Sequence, residues 1–386
     1  MARELELYIH IPFCIRKCAY CDFLSGTGNE EEIENYVEAL INEIEAHKAL
    51  FLNDKVATVF FGGGTPSILS GGQMGRIFEA LRGTFDIAET AEITVEANPG
   101  TVTYENLIAY RNVGINRISF GLQSADNEEL KRLGRIHTFE EFLESYKMAR
   151  SCGFQNINVD LISAIPRQTA EQFEQSLKKI IQLQPEHISV YSLIIEEGTP
   201  FAKWYGEGAP LEKDLPGEEE ERLMYQRTKK FLENEGYHRY EISNYAKDGM
   251  ECRHNLGYWE RKNYLGLGLG ASSLIDNVRY HNTENLKSYI ANAGNLQRIQ
   301  EDMEKLTLEE QMEEFVFLGL RKTGGISEQT FQEAFQKSIR ECYGGNIEKM
   351  IEKGLLGRQD GYLYLTEKGI DISNYVFAEI LYEQEN

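Results

Sequence analysis

This sequence predicts an α/β protein, a partial, open (β/α)6 TIM-like barrel followed by a C-terminal helical, winged-helix-like domain. Three observations lead there. Short β-rich runs alternate with longer amphipathic helical stretches six times through the first half of the chain. The alternation breaks in a Gly/Pro/charge-rich stretch at residues 206–221, and from residue 306 the pattern changes to three helices and a hairpin. Strands that alternate with helices pair in parallel, because each helix returns the chain to the same edge of the sheet. Six units are too few for a complete eightfold barrel.

The strands are expected at residues 5–11, 56–61, 92–96, 117–121, 156–162 and 187–193. The clearest helices between them are at 30–51, 139–152 and 170–183. The run Glu218-Glu219-Glu220-Glu221 closes the Gly/Pro-rich stretch, so a boundary is expected there. This gives a barrel at 1–215, a connecting region at 216–305 and a last domain at 306–386. In the last, helices are expected at 308–320, 327–335 and 345–353, then two short strands around the turn Gln359-Asp360-Gly361. No solenoid repeat or low-complexity tract interrupts the pattern.

With 41% hydrophobic residues the 386-residue chain can bury a substantial core. Its 40 Lys plus Arg against 62 Asp plus Glu give a net charge of −22. Such a field repels phosphate backbones, and the hairpin of the last domain has few basic residues, so nucleic acid is not an expected partner. The start Met-Ala-Arg-Glu-Leu-Glu-Leu is charged where a signal peptide is apolar. No run approaches the roughly 18 apolar residues of a membrane span, and a cytoplasmic location is expected.

Of six cysteines, Cys152, Cys252 and Cys342 stand alone, whereas Cys14-Ile-Arg-Lys-Cys18-Ala-Tyr-Cys21 places three just after the first strand. In a reducing compartment such a cluster suggests metal, not disulfides. Three thiolates can hold three irons of a cubane and leave the fourth open to an exogenous ligand. A structural zinc loop completed by a distant ligand, or three ordinary cysteines, are the alternatives that spacing alone leaves open.

The CxxxCxxC spacing resembles the radical S-adenosylmethionine (SAM) superfamily residue for residue, with Tyr20 where members pack adenine. That resemblance implies a 4Fe-4S cluster on Cys14, Cys18 and Cys21, with SAM as its partner. Polar residues also recur at the carboxyl ends of the expected strands. They are Gly62-Gly63-Gly64-Thr65-Pro66 after the second, Glu96 at the third, Gln123 at the fourth and Asp160 within the fifth. The glycine run lets backbone groups approach a ligand closely. Each residue alone is an ordinary cap or loop polar; their repetition at one end of successive strands is what marks a site.

The resemblance narrows to the branch that contains oxygen-independent coproporphyrinogen III oxidase and the HemW heme chaperones. It implies that the glycine run binds the methionine amino group, and that Tyr8, Glu96, Gln123, Arg135 and Asp160 contact the ligand. By chemistry Arg135 suits the methionine carboxylate, Gln123 and Asp160 the ribose hydroxyls, and Glu96 a cationic amine. The oxidase has a further cysteine two residues after the third, where this chain has Asp22-Phe23, and a longer N-terminal arm.

The segment Cys252-Arg-His254-Asn255-Leu-Gly-Tyr258-Trp259 resembles the HNxxYW heme motif. The likeness implies that His254 is an axial ligand and that Tyr258 and Trp259 offer flat faces to a porphyrin. Taken by themselves, the residues fit equally well a histidine beside an aromatic pair that anchors a loop to the barrel. Gly266-Leu-Gly268-Leu-Gly270 lacks dinucleotide-fingerprint spacing and is expected to serve close backbone packing beside the cofactor cleft. The expected function is that of a heme chaperone binding a 4Fe-4S cluster, SAM and heme, for transfer to an acceptor hemoprotein. An oxidative decarboxylase of coproporphyrinogen III is the alternative, and a zinc-stabilised nucleic-acid regulator the third. The resemblance further implies an electron donor such as flavodoxin or ferredoxin, and peripheral membrane contact.

Overall fold

Period-two alternation decides which way each strand faces. In the computed structural model, which describes residues 3–381, the first strand is β1 (Arg3–Ile11). Its Leu5, Leu7, Ile9 and Ile11 are fully buried in the main core, together with Tyr36, Val37, Leu40 and Ile44 of helix α1 (Glu30–Ala46). Glu6, Tyr8 and His10 take the opposite, inner face. The same division runs through β2 (Asp54–Gly63), β3 (Asp86–Ala97), β4 (Arg117–Gln123), β5 (Asn156–Ser163) and β6 (His187–Ser192). All six pair in parallel and in sequence order.

The helices between them are α2 (Gly71–Thr84), α3 (Tyr104–Asn112), α4 (Asn127–Leu133), α5 (Phe139–Ser151) and α6 (Ala170–Ile181). Capping boxes start α1 at Asn29, α2 at Ser70, α5 at Thr138 and α6 at Thr169, each satisfying two otherwise orphan backbone donors. Helix α1 stops at Ala46, short of the expected residue 51. Beyond it His47 turns its Nδ1 back to the Glu43 carbonyl at 2.9 Å. Leu50, within the expected helix, lies exposed.

The expected connecting region contributes to both edges of the same sheet. After α7 (Pro200–Tyr205), the Glu218–Glu221 run forms the first turn of α8 (Glu218–Asn234), where four carboxylates complement the helix dipole. There follow β7 (His238–Arg239), β8 (Asn244–Ala246), α9 (Arg253–Trp259), β9 (Tyr264–Leu267), β10 (Ser272–Ile275), β11 (Val278–Asn282) and β12 (Gln300–Lys305). The sheet order is β12-β11-β10-β9-β1-β2-β3-β4-β5-β6-β8-β7. Strands β7 to β11, of two to five residues, carry too little alternation to be found by pattern, and the six residues of β12, Gln-Glu-Asp-Met-Glu-Lys, are almost all polar.

A second core gathers Met312 to Ile380. Helices Leu308–Gly319, Glu328–Phe335 and Ile339–Glu352 pack on a small sheet of β13 (Ile326–Ser327), β14 (Leu356–Gln359) and β15 (Tyr362–Leu365). The third helix starts at residue 339, not 345, because Ser338 and Glu341 form a capping box upstream of the Gly344-Gly345 pair. Asp360 and Gly361 both have positive φ, 51° and 79°, as a two-residue hairpin turn requires.

This unit meets the barrel through several contacts, among them ion pairs of Glu367 with Lys229 and Arg239 and of Glu314 with Arg261, and through Arg321. Its guanidinium lies 5.3 Å from the Trp259 ring centroid, 4.7 Å from Phe317 and 5.7 Å from Phe377. Arg321→Ala should therefore lower stability by about 1–2 kcal/mol. Denaturant unfolding of wild type and variant measures the loss, and proteolysis should cut between the two cores earlier in the variant.

Candidate cluster and cofactor site

The cysteine loop is closed at its base by backbone pairing: Cys14 N–H donates to Gly26 O at 2.8 Å and Gly26 N–H to Pro12 O at 2.9 Å. Lys17 Nζ staples it, donating to the Phe23 and Ser25 carbonyls at 2.8 and 3.2 Å. All three thiols are free and line one cavity of about 360 Å³ over the carboxyl ends of the strands. Its walls also carry Tyr20, Gly63, Gly64, Thr65, Glu96, Gln123, Arg135 and Asp160. The fold thus brings most of the expected cofactor residues to one place. Tyr8 and Gly62 lie one layer deeper: a Cβ on Gly62 would meet Tyr8 and Phe60 at 3.0 and 3.1 Å and Glu96 at 3.2 Å.

Local backbone chemistry aims these groups. Gly63 has φ +107°, and a Cβ there would sit 2.5 Å from the His10 ring; at Gly64 it would sit 2.7 Å from Phe13 O. Only glycines let the end of β2 pass this close to the cysteine loop. Pairing of β4 with β5 shifts register between Phe120 and Gln123, and Gln123 holds φ 74°. The irregularity turns its side chain toward the cavity. Arg135 follows Gly134, the left-handed C-cap of α4 (φ 75°).

Arg135 and Thr65 both reach the sulfurs. Arg135 Nη1 donates to Cys18 Sγ at 3.2 Å, while its Nη2 donates to Asn98 Oδ1 and Gly121 O, both at 2.6 Å. Thr65 Oγ1 donates to Cys14 Sγ at 3.5 Å and accepts from Asn98 Nδ2 at 2.7 Å. Asn98 therefore ties the glycine loop to Arg135. Neither Asn98 nor the cavity-lining Ser119 and Tyr191 was among the expected site residues. Asn98 stands two positions after Glu96, so its place at a strand end was the available signal.

Burial and then the neighbouring Asp160 push the Glu96 carboxyl up to about 8. Burial also raises Asp160, against hydrogen bonds from Ser119 and Asn158, and it raises the Cys21 thiol. Two desolvated carboxyls facing one cavity favour a cationic ligand, whose charge restores what burial removed. The donor set fits a cluster of the proposed kind: three thiols, a guanidinium against one sulfur and a hydroxyl against another. Among the described residues no three His, Cys, Asp or Glu side chains converge on a single-ion position. A cubane takes each thiolate at a different corner and needs no such convergence.

The HNxxYW residues lie elsewhere, in α9, which packs on the inner faces of β1 to β3 against Glu6, Thr58, Phe60 and Glu92. His254, the expected axial ligand, is enclosed by that packing. His254 is 1% exposed. Its Nδ1 pairs with Thr58 Oγ1 at 2.7 Å and its Nε2 with Tyr258 OH at 3.1 Å. Its ring stacks on Phe60 at 5.0 Å, and burial lowers its pKa to about 3, so it is neutral. Tyr258 packs edge-on against Tyr264 at 4.8 Å, and Trp259 is engaged by Arg321. Glu92 receives the N–H groups of Arg253 and His254 at 3.1 and 3.2 Å. The glycine run 266–270 packs on β10, α1 and the cysteine loop, away from the cleft: a Cβ would meet Ser272 O from Gly266, the Tyr36 hydroxyl from Gly268 and Leu24 from Gly270.

Three cysteines in the loop after β1, over an open parallel barrel, define a radical SAM protein. The family model for the radical SAM superfamily matches residues 8–180, and that of the HemN C-terminal domain matches 306–372. The chain is 36% identical to the heme chaperone HemW of Lactococcus lactis subsp. lactis over 98% of each chain. It is 37% identical to that of Bacillus subtilis over 97% of this chain and 99% of that one. The Escherichia coli heme chaperone HemW is 42% identical over 70% of both. This chain belongs to the HemW family. In fold it matches coproporphyrinogen III oxidase (HemN) from Escherichia coli, a radical SAM enzyme, with a TM-score of 0.85 over 98% of this chain and 90% of that one, at 24% identity.

Glu6, also under α9, gives a pH test. Among the described residues its Oε2 has no hydrogen-bond partner, and it lies 3.9 Å from His254 Nδ1, while burial lifts its carboxyl from 4.5 to about 8. The folded state therefore holds a proton that the unfolded state releases, so this group's contribution to stability falls as pH rises from about 4.5 towards 8. Glu6→Gln removes that dependence. Thermal melts of the variant should lie above wild type at pH 9, and the gap should shrink steadily towards pH 5.

Proposed function

We propose that this chain is a heme chaperone that holds a 4Fe-4S cluster on Cys14, Cys18 and Cys21, binds SAM beside it, and passes heme to acceptor hemoproteins. One observation carries the reading: the three thiols share a single cavity with Glu96, Gln123, Arg135 and Asp160, in a chain related to heme chaperones over almost its whole length. When bound, the cluster supplies a redox-active iron with an open coordination position. The chain's own groups do the rest. The Gly62–Gly64 backbone and Glu96 receive the methionine ammonium, Arg135 its carboxylate, and Gln123 and Asp160 the ribose hydroxyls. Tyr20 flanks the adenine, and Thr65 holds the Cys14 sulfur. An electron donor of the flavodoxin or ferredoxin kind belongs to the same reading.

Anaerobically reconstituted wild type should contain about four irons per chain. The triple Cys14, Cys18, Cys21→Ala variant should lose both iron and the broad visible absorption, and retention of either sinks the cluster assignment.

Heme ligation by His254 would require α9 to leave the barrel. With the helix packed, hemin titrations of wild type and His254→Ala should give the same Soret band, and the variant should melt lower. A Soret change confined to the variant would make His254 the ligand and show that the helix opens. Decarboxylation of coproporphyrinogen III by the reconstituted protein, SAM and a reductant would instead restore the oxidase reading.

A further inference from the structure

A run of hydrogen bonds with fixed directions reaches Asp160 from the far side of the barrel. Asp160 accepts from Asn158 Nδ2 at 2.8 Å and from Ser119 Oγ at 2.9 Å. The Asn158 amide must turn its NH₂ to that carboxylate and to Ser119 Oγ at 2.7 Å, which leaves its Oδ1 as an acceptor, used by Ser189 Oγ at 3.1 Å and by the His187 ring. His187 Nδ1 lies 2.6 Å from that oxygen, so the ring proton sits on Nδ1 and Nε2 is an acceptor. The group at Nε2 is the Tyr240 hydroxyl at 2.7 Å. Tyr240 oxygen in turn accepts the backbone N–H of Cys252, the N-cap residue of α9, at 3.2 Å. Asn158, His187, Tyr240 and Cys252 are all buried, so no water substitutes for a missing partner.

The directions lock one another. If His187 carried its proton on Nε2, its bare Nδ1 would face Asn158 Oδ1, lone pair against lone pair. A flip of the amide would relieve that contact only by turning its oxygen on the Asp160 carboxylate and giving up the Ser189 bond. Tyr240 prevents this, because its hydroxyl proton needs an acceptor at Nε2. Burial and the nearby Arg117 keep His187 neutral, the state in which one nitrogen donates and the other accepts.

We propose that His187 and Tyr240 are positioning residues: together they fix the Asn158 amide and, through it, the orientation in which Asp160 meets the ligand in the cavity. The same bonds join that cavity to the first turn of α9, the helix that carries His254. The proposal rests on the reading of Asp160 as a contact to the ribose hydroxyls.

The test uses the full-length, cluster-reconstituted protein and SAM itself. Tyr240→Phe keeps the ring and removes the lock, and should weaken SAM binding roughly five- to tenfold. In an Asp160→Asn background the same change should have no further effect, because the residue it acts through has gone. Equal weakening in both backgrounds would make Tyr240 merely structural and overturn the proposal. Nitrogen NMR of ¹⁵N-histidine-labelled protein gives a readout independent of SAM. Wild-type His187 should show the Nδ1–H tautomer alone, and Tyr240→Phe a mixture. A single unchanged tautomer in the variant would overturn the lock. If Asp160→Asn binds SAM as wild type does, the ribose reading falls and this proposal with it. If Asp160→Asn weakens binding and Tyr240→Phe does not, only the proposal falls.

Discussion

Polar groups on the inner face of the parallel strands have to be satisfied inside the barrel, and the rest of this structure depends on that requirement. Leu5, Leu7, Ile9 and Ile11 seal the outer face under helices, while Glu6, Thr58, Glu92, Arg117, Asn158 and His187 point inward and are all buried. An unpaired group there costs about 1–3 kcal/mol, more if charged. Most are therefore assigned partners with definite donors and acceptors, and a network of that kind specifies one arrangement of its members.

The two ends of the barrel meet this constraint differently. At the carboxyl end of the strands, glycines at 63 and 64 and the irregular end of β4 withdraw bulk, so a cavity forms and its polar groups are left for a ligand. Under α9, protein fills the space: the first turn of that helix offers N–H groups to Glu92, and His254 fills the slot between Thr58 and Phe60. One end can exchange partners with solvent and ligands. The other is closed by covalently attached chain.

What the sequence disclosed follows from the same physics. The six strands were legible because buried parallel strands are long and apolar on one face, and the cysteine loop because three thiols in eight residues serve few purposes. The strand-end residues Glu96, Gln123 and Asp160 were legible from their position relative to those strands. Asn98 shared that position, but its bonds to Arg135 and Thr65 did not show in it, and Ser119 was not legible, since its function lies in a contact across strands to Asp160. Strands β7 to β11 escaped because each is short and β12 because it is almost wholly polar, and edge strands take their stability from the sheet already present more than from their own pattern.

The HNxxYW segment marks where a sequence pattern is ambiguous in principle. A histidine followed four residues later by tyrosine puts both on one helix face, and here that spacing is used for a ring-to-hydroxyl bond between His254 and Tyr258. Trp259, one residue on, points to another side and meets Arg321 of the C-terminal unit. Gly257 belongs to the fit as well: any Cβ there would sit 1.8 Å from the Glu6 carboxylate, so the helix seats on the barrel only with glycine at that position. Flat rings with one polar edge suit a porphyrin and a crowded protein interior equally well, because both reward apolar faces and a satisfied polar atom. Composition and spacing are the same in the two cases. They differ in whether the imidazole nitrogens are already occupied, and in this fold both are.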